Sequence, residues 1–170
     1  MMRFWCIIFL IVFAASVSGQ DDTDKIERQK LSGTWVFNSR KSTVRELSDK
    51  VVWTISMAGN EIAVKKSYIT KNEETNHTLR LQSDNSGETN VFQGVRETQT
   101  TISKTRWDKR SLVRKYNTRA NELLIETIEK YDLSKDGNTL TVEMTIRTNS
   151  PGSIGPNSRV PVKRVFDREL

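Results

Sequence analysis

Cysteine and histidine are nearly absent from this sequence, which has one of each in 170 residues. The cysteine, Cys6, lies in an apolar stretch near the N-terminus, and the histidine is His77. Once that stretch is removed, the chain has no thiol for a disulfide, a nucleophile or a metal ligand. One histidine does not make a zinc site without an unusual set of carboxylates, and no Gly-x-Ser-x-Gly motif points to a serine hydrolase. We therefore expect no metal and no cofactor.

Long hydrophobic runs are also missing from the chain. The apolar run over residues 6–15 follows Arg3 and is too short to cross a bilayer as a helix, which takes about 20 residues. Val17 and Gly19 then stand at the −3 and −1 positions of a cleavage site before Gln20. The pattern predicts a signal peptide over residues 1–19 and a secreted or periplasmic protein, with a membrane anchor as the alternative.

No strong excess of one charge marks the chain. The formal net charge is +6, which favours solubility and weak attraction to anionic surfaces but falls short of a nucleic-acid-binding surface. We expect no nucleic-acid partner and, after processing, no membrane span. Residues 20–30 are predicted to be a frayed polar lead-in and residues 31–170 a single domain. The sequence indicates no oligomeric state.

From Leu31 onward the hydrophobic period is two, which is typical of strands with one buried face. Turn signals such as Gly59-Asn60 and Asp136-Gly137-Asn138 separate the runs. We predict ten strands, over residues 33–38, 51–57, 61–69, 75–82, 88–93, 98–107, 111–117, 122–132, 139–148 and 159–167. A Pro/Gly-rich loop over residues 150–161 delays the last of them. The pattern predicts an all-β antiparallel up-and-down barrel of about eight to ten strands, with a β-sandwich as the alternative.

The first predicted strand opens with Gly33-Thr34-Trp35, a G-x-W start that resembles lipocalins. In that family the tryptophan closes one barrel end beneath a basic residue of the last strand. The resemblance implies that Arg164 or Arg168 stacks on Trp35, and that these residues and Gly33 are structural.

Further segments extend the resemblance over residues 31–170. They are Val36-Phe37-Asn38 with Lys41-Ser42, Trp107-Asp108 with Leu112, Leu133-Ser134 with Asp136-Gly137 and Thr139-Leu140-Thr141, and Val165-Phe166-Asp167-Arg168. Together they look like a set of small exported bacterial lipocalin-like proteins that are mostly uncharacterised. The resemblance implies a calycin-type barrel and no particular activity.

Residues 132–143 also fit the spacing of an EF-hand calcium loop, with acidic residues at its first and fifth positions, Gly137 at the sixth and Glu143 at the twelfth. An EF-hand loop lies between helices, whereas the flanking segments here alternate as strands. We therefore expect a β-hairpin with Asp136-Gly137-Asn138 in its turn.

Alternation places a set of aromatic and polar side chains on the inner wall of the predicted barrel. A hydroxyl-rich face over Gln99, Thr101, Ser103 and Thr105 needs partners, either ordered water or a ligand. The predicted ligand-binding residues are Trp53, Tyr68, His77, Leu79, Thr105, Trp107 and Tyr116. Lys66 is either a counter-charge for a ligand or the mark of a bulge or rim. Asn76, which points outward beside His77, is an N-glycosylation acceptor if the source is eukaryotic.

Three functions remain open at this point. The first is a secreted binding protein that holds a small amphipathic ligand without catalysis. The second is an interaction module that binds an anionic polysaccharide or surface through a basic hairpin from Lys104 to Lys115, with Arg110 and Arg114 as the residues to test. The third is a hydrolase built on paired carboxylates, for which Glu126, Glu129 and Glu143 are the candidates.

Overall fold

The computed structural model describes residues 25–93, 98–120, 123–148 and 161–169. It contains the ten predicted strands, and their bounds are β1 Gly33–Phe37, β2 Lys50–Ala58, β3 Glu61–Thr70, β4 Glu73–Gln82, β5 Glu88–Gln93, β6 Thr98–Asp108, β7 Ser111–Ala120, β8 Leu123–Leu133, β9 Thr139–Thr148 and β10 Val162–Arg168. The predicted signal peptide and most of the predicted loop over residues 150–161 lie outside the described residues.

All ten strands belong to one antiparallel sheet with the order β4-β3-β2-β1-β10-β9-β8-β7-β6-β5. Consecutive strands are neighbours throughout except at β4 and β5, and the pairing of β1 with β10 turns the meander back on itself. The chain therefore folds as a nearly closed lipocalin-like barrel, and the alternative of a sandwich is wrong. No helix in the described ranges is long and apolar enough to span a membrane.

The hairpin turns have the backbone geometry that tight two-residue loops need. Gly59, Lys71, Asn72 and Lys109 have φ values of 60°, 48°, 69° and 55°, which suit the twist of the flanking strands. Between β8 and β9 the positive φ falls on Gly137, at 75°. The segment with EF-hand spacing is thus the predicted hairpin, since strands rather than helices flank it.

Inward side chains from all parts of the sheet form the core. Trp35, Trp53, Tyr131 and Phe166 are its large aromatic members, and aliphatic residues such as Leu112 fill the space between them. Burial of this apolar surface is the main force that stabilises a chain with no cross-link in its described part.

A seam between β4 and β5 interrupts the backbone ladder of the barrel. Side chains of β5 bridge it: Arg80 N donates to Asn90 Oδ1 at 2.8 Å, and Asn90 Nδ2 donates to Arg80 O at 2.9 Å. Gln82 N donates to Glu88 Oε2 at 3.3 Å. These bonds satisfy edge amides that the missing ladder would leave unpaired.

The end of the barrel where β1 begins and β10 ends is here called the Trp35 end. Arg168 lies over the ring of Trp35, with its guanidinium carbon 4.3 Å from the ring centroid. Its Nε donates to Gly137 O at 2.7 Å and its Nη1 to Ser32 O at 3.0 Å. Gly33 has a φ of 146°, and a Cβ there would lie 2.5 Å from Arg168 Nη1. The lipocalin-type stack therefore uses Arg168, and Gly33 makes room for it.

Arg164, the other candidate for that stack, lies further from the Trp35 end along β10. Trp35 is in register with Arg168, four residues beyond Arg164 on the same strand. The Nε of Arg164 donates instead to Glu46 Oε1 at 2.6 Å, and Glu46 belongs to the segment between β1 and β2. Arg164 therefore anchors that segment and takes no part in the stack.

The polar lead-in differs from the prediction where the structure describes it. Residues 25–29 form a helical turn instead of a frayed segment. Arg28 stacks over Trp107 at 5.3 Å, and Trp35 Nε1 donates to Leu31 O at 3.0 Å. The charged residues that suggested fraying are thus used to cover the Trp35 end.

We expect Arg168→Lys to lower the free energy of unfolding by about 2–3 kcal/mol, because a lysine does not reproduce the planar fork of hydrogen bonds or the stack. Urea denaturation measures the change. Arg80→Lys is the control, since Arg80 makes an exposed ion pair with Glu61 and should cost less than about 1 kcal/mol. Equal midpoints for the two variants would contradict this role of Arg168.

Candidate functional site

A cavity of about 570 Å³ lies inside the barrel, toward the end where β3, β5, β7 and β9 finish. We call this the open end. Aromatic and aliphatic side chains make up most of the wall, and charged groups lie among them. The lining residues are Lys66, Tyr68, His77, Leu79, Phe92, Gln99, Thr101, Arg114, Tyr116, Thr118, Ile125, Thr127, Glu129, Met144 and Ile146.

Four of the residues predicted to bind a ligand meet in this cavity: Tyr68, His77, Leu79 and Tyr116. The ring of His77 lies between two others, 6.0 Å from Tyr68 and 6.3 Å from Phe92 between centroids. His77 shares its face with Leu79, as the alternation predicted, and Asn76 is exposed on the other side. The aromatic group spans the seam between β4 and β5 near the open end.

Trp53, Thr105 and Trp107 do not line the cavity. Trp53 is 4% exposed and packs against Phe166 at 4.4 Å between ring centroids. Thr105 is fully buried and its hydroxyl donates to Glu88 Oε1 at 2.6 Å. Trp107 lies at the Trp35 end beneath Arg28. Alternation predicted the correct face for each, but it does not tell how far along the barrel a side chain lies.

The predicted hydroxyl-rich inner face of β6 is confirmed. Thr101, Ser103 and Thr105 are buried, whereas Ile102 between them is 70% exposed. Ser103 and Thr105 both donate to Glu88, so this part of the wall finds its partners within the protein.

A charged group lies deeper in the cavity, formed by Lys66 of β3, Arg114 of β7 and Glu129 of β8. Arg114 Nη1 donates to Glu129 Oε2 at 3.3 Å, and Arg114 Nε donates to Ser103 Oγ at 3.1 Å. The guanidinium also packs over Tyr116, 4.3 Å from the ring centroid. Arg114 is thereby held in one orientation with a fixed fork of donors.

One nitrogen of the Arg114 guanidinium, Nη2, makes no hydrogen bond to the described residues. Arg114 is 3% exposed, and its Nη2 is buried without a hydrogen-bond partner in the described part of the protein. A buried donor left unpaired costs about 1–3 kcal/mol, and more for a charged group. Arg114 also lines the cavity, so its unpaired donor favours an acceptor supplied from outside the protein.

The run of basic residues predicts a surface position for Arg114 in the hairpin, and that prediction is wrong. Leu112, Arg114 and Tyr116 alternate on one face of β7, and Leu112 is fully buried. The same period that placed Tyr116 inside therefore also placed Arg114 inside. The run of basic residues around the β6–β7 turn obscured this signal.

Glu129 is the carboxylate that the two cations share. Burial favours the neutral acid, but the charges of Lys66 and Arg114 and a hydrogen bond from Tyr131 hold the pKa of Glu129 below its usual value. Tyr131 Oη donates to Glu129 Oε2 at 3.0 Å and Tyr116 Oη to Oε1 at 3.4 Å. Glu129 therefore stays ionised at neutral pH.

The two tyrosines act as fixed donors to that carboxylate. Burial and the nearby charge of Glu129 raise the pKa of Tyr116 to about 12. The same two causes raise the pKa of Tyr131 well above its ordinary value. Both phenols therefore keep their protons over the physiological range.

Lys66 projects into the cavity from an unbroken stretch of sheet. It pairs in register with Trp53 on β2 and His77 on β4, so it marks no bulge. Its Nζ lies 4.1 Å from the centroid of the Trp53 ring. Burial lowers the pKa of Lys66 to about 8, although attraction to Glu129 opposes the shift.

The basic hairpin is less available than the sequence suggested. Arg110 forms an ion pair with Glu27, and Lys115 forms one with Glu126. Arg114 is inside the barrel, so the two residues proposed for testing do not share a surface. A separate cleft of about 930 Å³ at the Trp35 end takes in Arg106, Arg28 and Trp107, with Asp84 among them.

The carboxylates considered for hydrolysis do not meet. Glu129 faces the cavity, whereas Glu126 lies on the outer face with Lys115 and Arg147. Glu143 also lies outside, in register with Lys130 and Lys163. Within the described ranges, no three His, Cys, Asp or Glu side chains are placed to hold a metal ion.

Neither a protein-family model nor a curated protein sequence matches this chain. Solved structures do match it. An SAHS (abundant heat soluble) protein from Ramazzottius varieornatus is 14% identical with a TM-score of 0.52, over 83% of this chain and 96% of that one. A mutant of the fluorescent protein UnaG is 18% identical with a TM-score of 0.51, over 83% and 97% of the two chains.

Human cRBP IV is 15% identical with a TM-score of 0.48, over 82% of this chain and 98% of that chain. At these identities the SAHS protein and UnaG show the fold of this chain and nothing finer: it is similar to other lipocalin-like antiparallel barrels.

Proposed function

We propose that this protein binds a small amphipathic ligand in the barrel cavity, with an anionic head group against Arg114 and Lys66. The observation that carries the proposal is the unpartnered Nη2 of Arg114. Because Arg114 is already fixed by Ser103, Glu129 and Tyr116, a carboxylate or similar oxyanion gains a charge-assisted hydrogen bond without ordering the side chain.

The charge balance of the cavity supports an anion over a cation. Lys66 and Arg114 face one carboxylate, Glu129, among the lining residues. Arg164 is nearby but is paired with Glu46. The group therefore has one positive charge in excess, and in a site of low dielectric that excess attracts an anion more strongly than it would in water.

The remaining wall suits an apolar body. Phe92, Ile125 and Ile146 line the cavity between the charged group and the open end, while Met144 lies level with that group and Leu79 lies deeper than Lys66. The volume of about 570 Å³ lies within the range of roughly 300–1,000 Å³ that small-molecule sites have. A chain or flat ring system fits such a cavity with its polar end innermost.

Export completes the proposal and rests on the sequence of residues 1–19 alone. The binding of an anionic polysaccharide or surface remains the second candidate function. It is supported by Lys104, Arg106 and Lys109, which are exposed and form no ion pair in the described part of the chain. Glycosylation of Asn76 also stays a proposal, and the exposure of that side chain is compatible with it.

Dansyl-undecanoic acid tests occupation of the cavity, and we expect saturable binding with a rise in fluorescence. Ile146→Trp should weaken that binding by about tenfold or more, because the indole takes up space inside the cavity. Ile102→Trp makes the same change on the outer wall, where Ile102 is 70% exposed, and should leave the affinity unchanged. Equal affinities for the two variants would place the probe elsewhere.

Removal of the guanidinium tests the head-group site. Arg114→Leu should weaken binding of the carboxylate probe by roughly 10- to 100-fold, the worth of a charge-assisted hydrogen bond. The affinity for the methyl ester of the probe should fall far less, because the ester carries no negative charge. The difference distinguishes a loss of head-group binding from damage to the cavity as a whole. Arg106→Leu on the outer face is the control. If acid and ester lose affinity equally, Arg114 does not bind the head group.

The affinity for the carboxylate probe should also depend on pH through Lys66, whose pKa is about 8. The charged amine attracts the probe and the neutral amine does not, so we expect affinity to fall as pH rises from about 7 to about 9.5. Glu129, Arg114, Arg164 and Glu46 also act on Lys66. Fluorescence titrations across this range measure the change, and Lys66→Met should flatten it. A profile that stays steep in that variant would assign the titration to another group.

A further inference from the structure

The amine of Lys66 differs from every paired cation near it. Arg114 is bonded to Glu129 and Arg164 to Glu46, whereas Lys66 Nζ forms no hydrogen bond or ion pair within the part of the chain that the structure describes. It lies over the face of the Trp53 ring, 4.1 Å from the ring centroid. A primary amine on the wall of an otherwise mostly apolar cavity is therefore left free to react.

The protonation state of Lys66 makes that reaction possible at neutral pH. With a pKa of about 8, about a fifth of the amine is neutral at pH 7.4, against about a thousandth for an ordinary exposed lysine. The neutral amine is the nucleophile toward carbonyl carbon, and desolvation is a recognised way of activating lysine for it.

We propose that Lys66 captures aliphatic aldehydes that enter the cavity, as a reversible imine. The inference rests on the proposed function, because the same apolar wall must first hold the aldehyde chain. The amine nitrogen attacks the carbonyl carbon, and a C–N bond forms while the oxygen takes up a proton. The carbinolamine then loses that oxygen as water to give the C=N bond, so no oxidant or reductant is required.

The surroundings of Lys66 suit the product as well as the reactant. A protonated imine keeps the positive charge at the same nitrogen, where Glu129 attracts it and the Trp53 ring contacts it. The chain then extends past Tyr68 toward the open end. An aldehyde thus places its carbonyl carbon where an acid would place its carboxylate.

Reductive trapping tests the inference. The full-length chain is incubated with decanal and sodium cyanoborohydride at about pH 7.4, and the alkylation of each lysine is followed by peptide mass spectrometry. Lys65 is the matched control, because it neighbours Lys66 on β3 but is exposed on the outer face. We expect Lys66 to react about tenfold faster than Lys65 or more, from its larger neutral fraction.

Two further measurements separate capture in the cavity from general lysine reactivity. An excess of decanoic acid should suppress labelling of Lys66 and not of Lys65, because only Lys66 lines the cavity. Labelling of Lys66 should rise with pH and level off above about 8, where its amine is mostly neutral. Lys66→Arg keeps the charge and removes the nucleophile, so cavity-dependent labelling should disappear in this variant.

The outcomes distinguish this inference from the function on which it rests. If the chain binds dansyl-undecanoic acid but labels Lys66 no faster than Lys65, aldehyde capture is wrong and ligand binding stands. If decanal labels Lys66 rapidly but decanoic acid does not compete, the reaction occurs outside the proposed site and the inference also fails. If neither probe binds or reacts in the cavity, both proposals fall together.

Discussion

Two cationic side chains face a single carboxylate inside this barrel, and the chemistry of the site follows from that excess of positive charge. Glu129 stays ionised because Lys66 and Arg114 both face it and two tyrosines donate to it. Glu129 bonds to Arg114, whose Nη2 stays without a partner among the described residues, and burial lowers the pKa of Lys66 although Glu129 attracts its charge. An isolated buried charge is destabilising, and the protein reduces that penalty by making one of its cations a weaker base.

The two proposals depend on different protonation states of the same amine. Charged Lys66 attracts an anionic head group, whereas neutral Lys66 is a nucleophile. A pKa of about 8 keeps both forms present near neutral pH, so one side chain would serve both proposed roles, the non-covalent binding of acids and the covalent capture of aldehydes. An exposed lysine would offer the first property almost without the second. The apolar wall around Ile146 and Leu79 determines which molecules reach it.

Much of the fold was predictable from the sequence, and the depth of each side chain was not. The period of two placed Tyr68, His77 and Tyr116 on the inner wall because strand neighbours point to opposite faces. It said nothing about position along the barrel axis, which depends on how the strands are staggered. Trp53 and Trp107 therefore have the predicted direction but lie below the cavity and at the other end of the barrel. The prediction of a surface position for Arg114 failed for a different reason. Buried arginines are rare, and the basic residues around Arg114 favoured a position on the surface.

The seam between β4 and β5 has a consequence for how the molecule behaves at high concentration. The first half of β4, over residues 73–78, runs beyond the bridges made by Asn90 and Glu88 and presents a sheet edge to solvent. Exposed edges are templates for strand addition by another copy and so for aggregation. Here the edge begins with Glu73 and Glu74, both exposed, and charged side chains on an exposed edge disfavour its pairing with another strand. The acidic start of β4 therefore protects an incompletely sealed barrel from self-association.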